Sequence, residues 1–142
     1  MNIEERQQQV ISEFSMFDDW MQKYEYIIDL ANELAPFDPA HRTDDNLIRG
    51  CQSRVWLHAQ LSPEGRVLFT ADSDAIITRG MVALVIRLLS DASPSEILEA
   101  DLHCMRDIGL YEHLSPTRSN GLASMIKQMK AQALAYMTSS PK

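Results

Sequence analysis

The chain has 142 residues, 45% of them hydrophobic and 23% charged, which fits a single globular domain over residues 1–142 and excludes a disordered or fibrous chain. Its 13 basic and 20 acidic residues give a net charge of −7, and without a basic tract this argues against nucleic acid and anionic membranes as partners. The longest nearly apolar stretch, residues 81–86, is far shorter than the ~20 residues that cross a bilayer.

The N-terminus and the cysteines predict the compartment. The first six residues are polar and acidic, and they lack the apolar core of a signal peptide. The two cysteines, Cys51 and Cys104, are too few for a disulfide framework, and in a reducing compartment both are expected to be free thiols. We therefore expect a cytoplasmic protein, with residues 138–142 as a polar C-terminal tail.

Two helices are predicted at the start of the chain. Apolar residues at helical spacing predict the first, over residues 2–16. The second is predicted to begin at Asp18 or Asp19, because a carboxylate there accepts from free backbone N–H groups and meets the positive end of the helix dipole. Its buried face is predicted to comprise Trp20, Tyr24, Ile27, Ile28, Ala31 and Leu34.

A loop and a β-hairpin follow. Two prolines end the second helix, and residues 36–50 have the turn chemistry of a loop. Strict alternation of apolar and polar side chains predicts a strand over residues 54–61. A turn at residues 62–65 and a returning strand over residues 66–71 complete the predicted hairpin.

The second half of the chain is predicted to be helical. Asp72 or Ser73 is expected to cap a helix over residues 74–89, which is apolar nearly all round and should occupy the centre of the core. A capping box at residues 93–96 predicts a short helix, another helix should end near Gly109, and a C-terminal helix follows Ser115-Pro116. This order predicts an α+β fold in which helices pack on a small antiparallel sheet.

Cys51 is the residue best placed for chemistry, because it follows Gly50 on a loop that leads into the first strand. Arg49 and Arg54 are near it in sequence and would favour the thiolate, which is the form that attacks sulfur. The alternative is a buried structural cysteine, and on position alone the two interpretations are equally good.

Other reactive or metal sites have weaker support. A papain-like nucleophile needs a histidine base, and His41 is the loop histidine that could reach Cys51, although a solvated side chain is the simpler interpretation. His58 falls on the exposed face of the predicted strand. His103 and Cys104 lack the close ligand spacing typical of structural zinc, so we expect no metal.

Four segments of the chain resemble the SufE family of sulfur-acceptor proteins, which includes the CsdE type. They occur in the order and spacing of the family and span the chain nearly end to end. The segment around Cys51 reads RGCQSRVWL. The others are DDWMQKY from Asp18, DSDAIITRG from Asp72, where Ala71 replaces a common glycine, and LSPTRSNGL from Leu114.

This resemblance implies a function and a fold. SufE-type proteins take sulfur from a pyridoxal-phosphate-dependent cysteine desulfurase of the SufS or CsdA type, and they stimulate that enzyme. They carry the sulfur as a persulfide on one cysteine and pass it to iron–sulfur cluster assembly. The resemblance assigns this catalytic role to Cys51 and none to Cys104. It implies an α+β sandwich shared with IscU-like scaffolds, and no cofactor in the chain itself.

The same segments imply supporting residues and partners. Gly50, Asp74, Arg79 and Arg118 recur in them and are candidates for supporting Cys51 or for docking the desulfurase. The downstream partner would be an iron–sulfur scaffold or another sulfur acceptor, and a second copy of the chain is a further candidate. We expect the loop of Cys51 to be tucked against apolar residues in the free protein and to swing out on docking.

Three other functions stay open on the sequence. An independent thiol enzyme would need a base or a resolving cysteine paired with Cys51. An iron–sulfur scaffold would need several cysteine ligands where this site offers one. A purely structural interaction domain would not need the thiol. The sequence does not distinguish the SufE type from the CsdE type.

Overall fold

The computed structural model describes residues 2–51 and 53–139, which form helices and one β-hairpin. The two strands are antiparallel, and the helices pack against them, so the predicted α+β class is confirmed. In chain order the elements are α1 Ile3–Phe14, α2 Trp20–Glu33, β1 Val55–Leu61, β2 Val67–Ser73, α3 Ile76–Leu89, α4 Pro94–Glu99, α5 Cys104–Asp107, α6 Leu110–His113 and α7 Pro116–Ser139. Two short 3₁₀ helices, Pro39–His41 and Asp44–Asn46, lie in the loop between α2 and β1.

Local hydrogen bonds fix where the helices begin. The Asp19 side chain accepts from the Gln22 backbone N–H at the start of α2, which confirms a carboxylate cap at this position. The predicted capping box before α4 is also present, between Ser93 and Glu96. The short helix α6 was not predicted, because its few residues give no periodic signal. Helix α7 continues to Ser139, within the predicted tail, and residues 140–142 lie outside the described residues.

The hairpin is longer than its sequence predicts. Its register pairs Val55 with Ser73 and Trp56 with Asp72, so both predicted cap residues of α3 belong to β2. The prediction that they cap the helix is therefore wrong: α3 follows Ala75, which makes no side-chain cap. Pairing with β1 satisfies the backbone of these residues, and this outweighs their local preference for a helix start.

Helix α3 lies at the centre of the core, as predicted. It packs against α1, α2, α7 and β2, and most of its side chains are buried, among them Val82, Leu84, Val85, Leu88 and Leu89. Burying a side chain of this size contributes about 1.5–3 kcal/mol. Helix α7 buries Leu122, Met125, Met129 and Ala133, along the face that their spacing predicts. None of the helices in the described ranges combines the length and the apolar character that a bilayer-crossing segment requires.

Gly80 permits the close approach of α3 and α2. A Cβ atom built there would lie 2.3 Å from the Ile27 carbonyl oxygen, which belongs to the backbone of α2 and has no room to move aside. The packing of these two helices, and with it the position of the first turn of α3, depends on the missing side chain.

We expect Gly80→Ala to lower the free energy of unfolding by about 1–3 kcal/mol, because the two helices must separate to admit the methyl group. Urea denaturation measures the change. At an unobstructed helical position, alanine stabilises by up to ~1 kcal/mol relative to glycine, so the sign of the change is diagnostic. Ser12→Ala on the exposed face of α1 is the control, and a Gly80→Ala protein as stable as the control would contradict the prediction.

Candidate functional site

Cys51 lies on a short loop that is anchored at both ends. Before it, the buried Ile48 donates its backbone N–H to the Val55 carbonyl at 2.8 Å. After it, the Arg54 N–H donates to Asp74 Oδ1 at 3.1 Å, and the Asp74 N–H donates to the Arg54 carbonyl at 3.2 Å. The turn between these anchors carries Cys51, and the adjoining Gln52 lies outside the described residues.

Arg42 holds the preceding segment against the hairpin. Its Nη2 lies 2.5 Å from Asp72 Oδ2, and its guanidinium lies over the rings of Phe37 and Trp56, at 5.8 and 6.0 Å from their centroids. Arg79 Nε lies 3.0 Å from the other carboxylate oxygen. Partial burial raises the pKa of Asp72, but the hydrogen bond from Arg42 and the two guanidinium charges outweigh it, so this pKa lies below its ordinary value.

Gly50 sets the path of the chain into Cys51. Its φ is +92°, in the region that favours glycine, and a Cβ there would lie 2.5 Å from Ser124 Oγ on α7. This close approach places Cys51 in contact with the same helix, α7. The Cys51 thiol lies 3.5 Å from the Gly121 carbonyl oxygen, to which it donates. A carbonyl oxygen in this position favours the neutral thiol over the thiolate.

A partly open cavity of about 200 Å³ adjoins Cys51. Its volume is several times the ~30 Å³ that one water molecule occupies in the liquid. Thr78 Oγ1 lies 3.5 Å from Ser53 Oγ, so two hydroxyl groups supply polar atoms on one side. We call it the inner cavity, and it is lined by Cys51, Ser53, Thr78, Met81, Arg118 and Met125, among others.

A second depression also borders Cys51. Asp44, Arg49, Cys51 and Arg54 contribute to its lining, and we call it the outer depression. Cys51 and Ser53 border both spaces. Cys51 is half-buried. It is therefore partly packed, as a structural cysteine would be, and partly accessible, as a reactive thiol on a loop would be.

Burial raises the pKa of the Cys51 thiol above its ordinary value, and no charge among the described residues offsets this. The prediction that Arg49 and Arg54 favour the thiolate is therefore wrong for this conformation. Both side chains are exposed, where water screens their charge. In the resting protein the thiol is protonated at neutral pH.

The predicted supporting residues fall into two groups. Gly50 and Arg118 border the immediate surroundings of Cys51, Gly50 through the loop and Arg118 through the inner cavity. Asp74 anchors the backbone of Arg54, and Arg79 binds Asp72, so these two stabilise the hairpin end that holds the loop. Whether any of them docks a partner stays a prediction.

Several lining residues were not predicted to belong to the site. Gly121 and Met125 share one face of α7 with the predicted Arg118 at helical spacing, and Gly121 lies in a segment that resembles the family, so a signal existed. Met81 and Met125 have the spacing of core residues and are indeed buried, which hid their second role beside the cavity. Thr78 also lies in a segment that resembles the family, but no pattern of its own marked it as a neighbour of Cys51.

The histidines are engaged away from Cys51. His41 stacks on His58 at 3.7 Å, His113 stacks on Trp20 at 4.0 Å, and His103 binds carboxylates of α1 and α5. All four lie within the described residues, and none of them lines the inner cavity or the outer depression.

The second cysteine and the acidic residues offer no alternative centre in the described structure. Cys104 is fully buried, and burial raises the pKa of its thiol to about 12. Across residues 2–51 and 53–139, no three histidine, cysteine, aspartate or glutamate side chains converge in a way that would hold a metal ion.

Comparison with known proteins places this site in a family. A solution structure of a hypothetical protein from Thermus thermophilus has a similar fold, with a TM-score of 0.78 and 22% identity over 94% of this chain and 97% of that one. At this identity the likeness is evidence of fold alone. The model of the SufE domain, described as an Fe–S metabolism associated domain, matches residues 8–133, which include Cys51 and its whole surroundings. The chain therefore belongs to the SufE family, whose domain is associated with iron–sulfur metabolism.

Proposed function

We propose that this protein accepts one sulfur atom from a cysteine desulfurase onto Cys51, stimulates that enzyme, and delivers the sulfur to iron–sulfur cluster assembly in the cytoplasm. The observation that carries the proposal is the position of Cys51, on a short anchored loop between the inner cavity and the outer depression. Membership of a family associated with iron–sulfur metabolism supports the same role.

The proposed transfer is a thiol exchange that needs no further reactant. The Cys51 thiolate attacks the outer sulfur of a persulfide on the desulfurase, a new S–S bond forms, and the S–S bond of the donor breaks. The electron pair of that bond leaves with the donor sulfur as a thiolate. The outer sulfur keeps its proton as it is transferred. Cys51 therefore becomes a persulfide, the donor becomes a thiolate, and there is no net oxidation.

The resting conformation suits a carrier that must wait for its donor. Thiols are oxidised through the thiolate, so a raised pKa and half-burial protect Cys51 between transfers. In the proposed cycle, docking moves the loop between Ile48 and Arg54 outward, with Gly50 as the position that accommodates the change. The sulfur then moves away from the Gly121 carbonyl oxygen and becomes exposed to water. Both changes lower the pKa of the thiol and so favour the thiolate.

The inner cavity is the proposed resting place of the loaded sulfur. Its volume exceeds what one additional sulfur atom requires, and Cys51 is one of its lining residues. The hydroxyl groups of Ser53 and Thr78 would donate to a persulfide anion there, and the buried Met81 and Met125 supply apolar lining. A persulfide held there would be shielded from reductants until the next partner docks.

Two competing functions fit the site less well. A stand-alone thiol hydrolase needs a base beside its nucleophile, and the four histidines are engaged elsewhere. An iron–sulfur scaffold needs several ligands, and Cys51 has no such neighbours among the described residues. Exchange of sulfur requires neither, which favours the carrier. We assign pyridoxal phosphate to the partner desulfurase, of the SufS or CsdA type.

Cys51→Ser is expected to abolish sulfur loading, because the hydroxyl cannot form a persulfide. The measurement is intact-mass spectrometry after incubation with a PLP-dependent cysteine desulfurase and L-cysteine, followed by peptide mapping. Cys104→Ala, which removes the buried thiol, is the matched control and should gain one sulfur atom like the wild type. Loading of Cys51→Ser, or loading mapped to Cys104, would contradict the assignment.

The alkylation of Cys51 by iodoacetamide should be slow at neutral pH and should still be rising at pH 9, because burial raises the pKa of this thiol above the ordinary value near 9. The pH profile of the free protein, followed by peptide mass spectrometry, measures this. The urea-unfolded protein is the reference. A folded-state profile that levels off earlier than the unfolded one would show that the thiolate is stabilised at rest.

Arg42→Gln should make Cys51 more accessible to alkylation, because it removes the contacts that hold the preceding segment to the hairpin. A partly exposed ion pair with its ring contacts contributes about 1 kcal/mol, so we expect roughly a fivefold higher rate at fixed pH. The control is Arg66→Gln, because Arg66 is similarly exposed and pairs with Asp91 at the other end of β2. Equal rates for the two variants would exclude this anchor as part of the gate.

A further inference from the structure

The basic side chains of the chain divide into two sets. Lys142 lies outside the described residues, and most of the others have a partner: Arg6 and Lys130 bind backbone carbonyls, Lys23 lies over a ring, and Arg42, Arg66, Arg79, Arg87 and Arg106 form ion pairs. Among residues 2–51 and 53–139, the basic side chains without a hydrogen bond, an ion pair or a ring contact are those of Arg49, Arg54, Arg118 and Lys127.

Three of these four side chains line a space that Cys51 also lines, and the fourth lies beside a neighbouring depression. Arg49 and Arg54 line the outer depression with Cys51, and Arg118 lines the inner cavity with it. Lys127 lies on α7 beside a neighbouring depression that it shares with Arg49. All four residues are exposed. We call them the cationic rim.

This placement contrasts with the rest of the molecule. The chain carries a net charge of −7, and its other described cations are neutralised or fixed by their own neighbours. Asp44 lines the outer depression, and Asp44 and Asp45 both line the neighbouring one, but neither forms an ion pair with the rim. The unpaired positive charges of this acidic protein therefore lie near Cys51, the side that a sulfur donor must approach in the proposed function.

We propose that the cationic rim docks an acidic protein surface surrounding the donor cysteine of the desulfurase, an inference that rests on the function proposed above. Complementary charges steer encounter and fix orientation more than they add affinity. The negative remainder of this protein repels an acidic partner from other faces, so the encounters that persist present Cys51. A protein partner is favoured over nucleic acid, because a long polyanion would also meet the repulsion of the remaining surface.

Association kinetics test the rim. The wild-type protein and the variants Arg49→Gln, Lys127→Gln and their combination are mixed with the desulfurase that loads Cys51, at salt concentrations from about 0.05 to about 0.5 M. We expect the combined variant to associate ~3–10-fold more slowly at low salt, with little change in dissociation and with the difference lost at high salt. Asp45→Asn should have the opposite effect and accelerate association.

Arg106→Gln is the control, because it removes the same charge from an exposed residue on α5 that lines neither space beside Cys51. If Arg106→Gln slows association as much as a single rim variant does, the effect is one of net charge and the proposal for the rim is wrong. Wild-type rates and salt dependence in Arg49→Gln and Lys127→Gln would overturn it as well. The proposal is also wrong if the rim variants weaken the binding of a mixed-sequence RNA but leave association with the desulfurase unchanged.

The sulfur loading of the same proteins separates the two proposals. Loading is measured by intact mass at saturating desulfurase, where association is no longer limiting. If the wild type and the rim variants all load Cys51 while association is unchanged by the variants, the rim is wrong and the carrier function stands. If the wild type gains no sulfur from the desulfurase, the carrier function itself is contradicted.

Discussion

The desolvation of one thiol is the constraint on which the rest of the site depends. A sulfur carrier needs a nucleophilic thiolate during transfer and an inert thiol between transfers, and a fixed environment cannot supply both. The fold meets the second demand directly: α7 presents the Gly121 carbonyl to the sulfur, the inner cavity borders it, and burial raises its pKa. In the proposed cycle, the first demand is met by a movement of the loop that a docking partner drives.

The hairpin confines that movement to a few residues. Its pairing continues to the Val55–Ser73 pair, so the chain becomes rigid directly after the loop of Cys51. Asp74 then fixes Arg54, and Asp72 is shared between Arg42 from the preceding segment and Arg79 from α3. Asp72 and Asp74, at and just after the end of β2, thus hold the loop from its two sides, Asp72 through Arg42 and Asp74 through Arg54. This accounts for their position in the structure without any contact to the sulfur.

Local signals in the sequence predicted much of this arrangement. The cap at Asp19, the capping box before α4, the alternation in β1 and the apolar character of α3 each depend on neighbours in the chain, and each was confirmed. The extension of β2 through Asp72 and Ser73 was missed, because strand pairing overrides the capping preference of these residues. The cavity was missed for a related reason: Met81 and Met125 are ordinary core residues in sequence, and only the approach of α3 and α7 makes them neighbours of Cys51.

The weak hold on Cys51 makes docking a sufficient trigger in the proposed cycle. A partner shifts a conformational equilibrium only by the difference in its affinity for the two states. The contacts of the turn itself are the hydrogen bond from the Cys51 thiol to the Gly121 carbonyl and the hydroxyl pair of Thr78 and Ser53, each at 3.5 Å. The ion pair of Arg42 with Asp72 adds to them from the preceding segment. Opening then costs little more than ~1–3 kcal/mol, the usual range for a few neutral hydrogen bonds. Charge complementarity at the cationic rim orients the donor, and the contacts that the donor makes only with the outward loop would supply the difference in affinity that opens it.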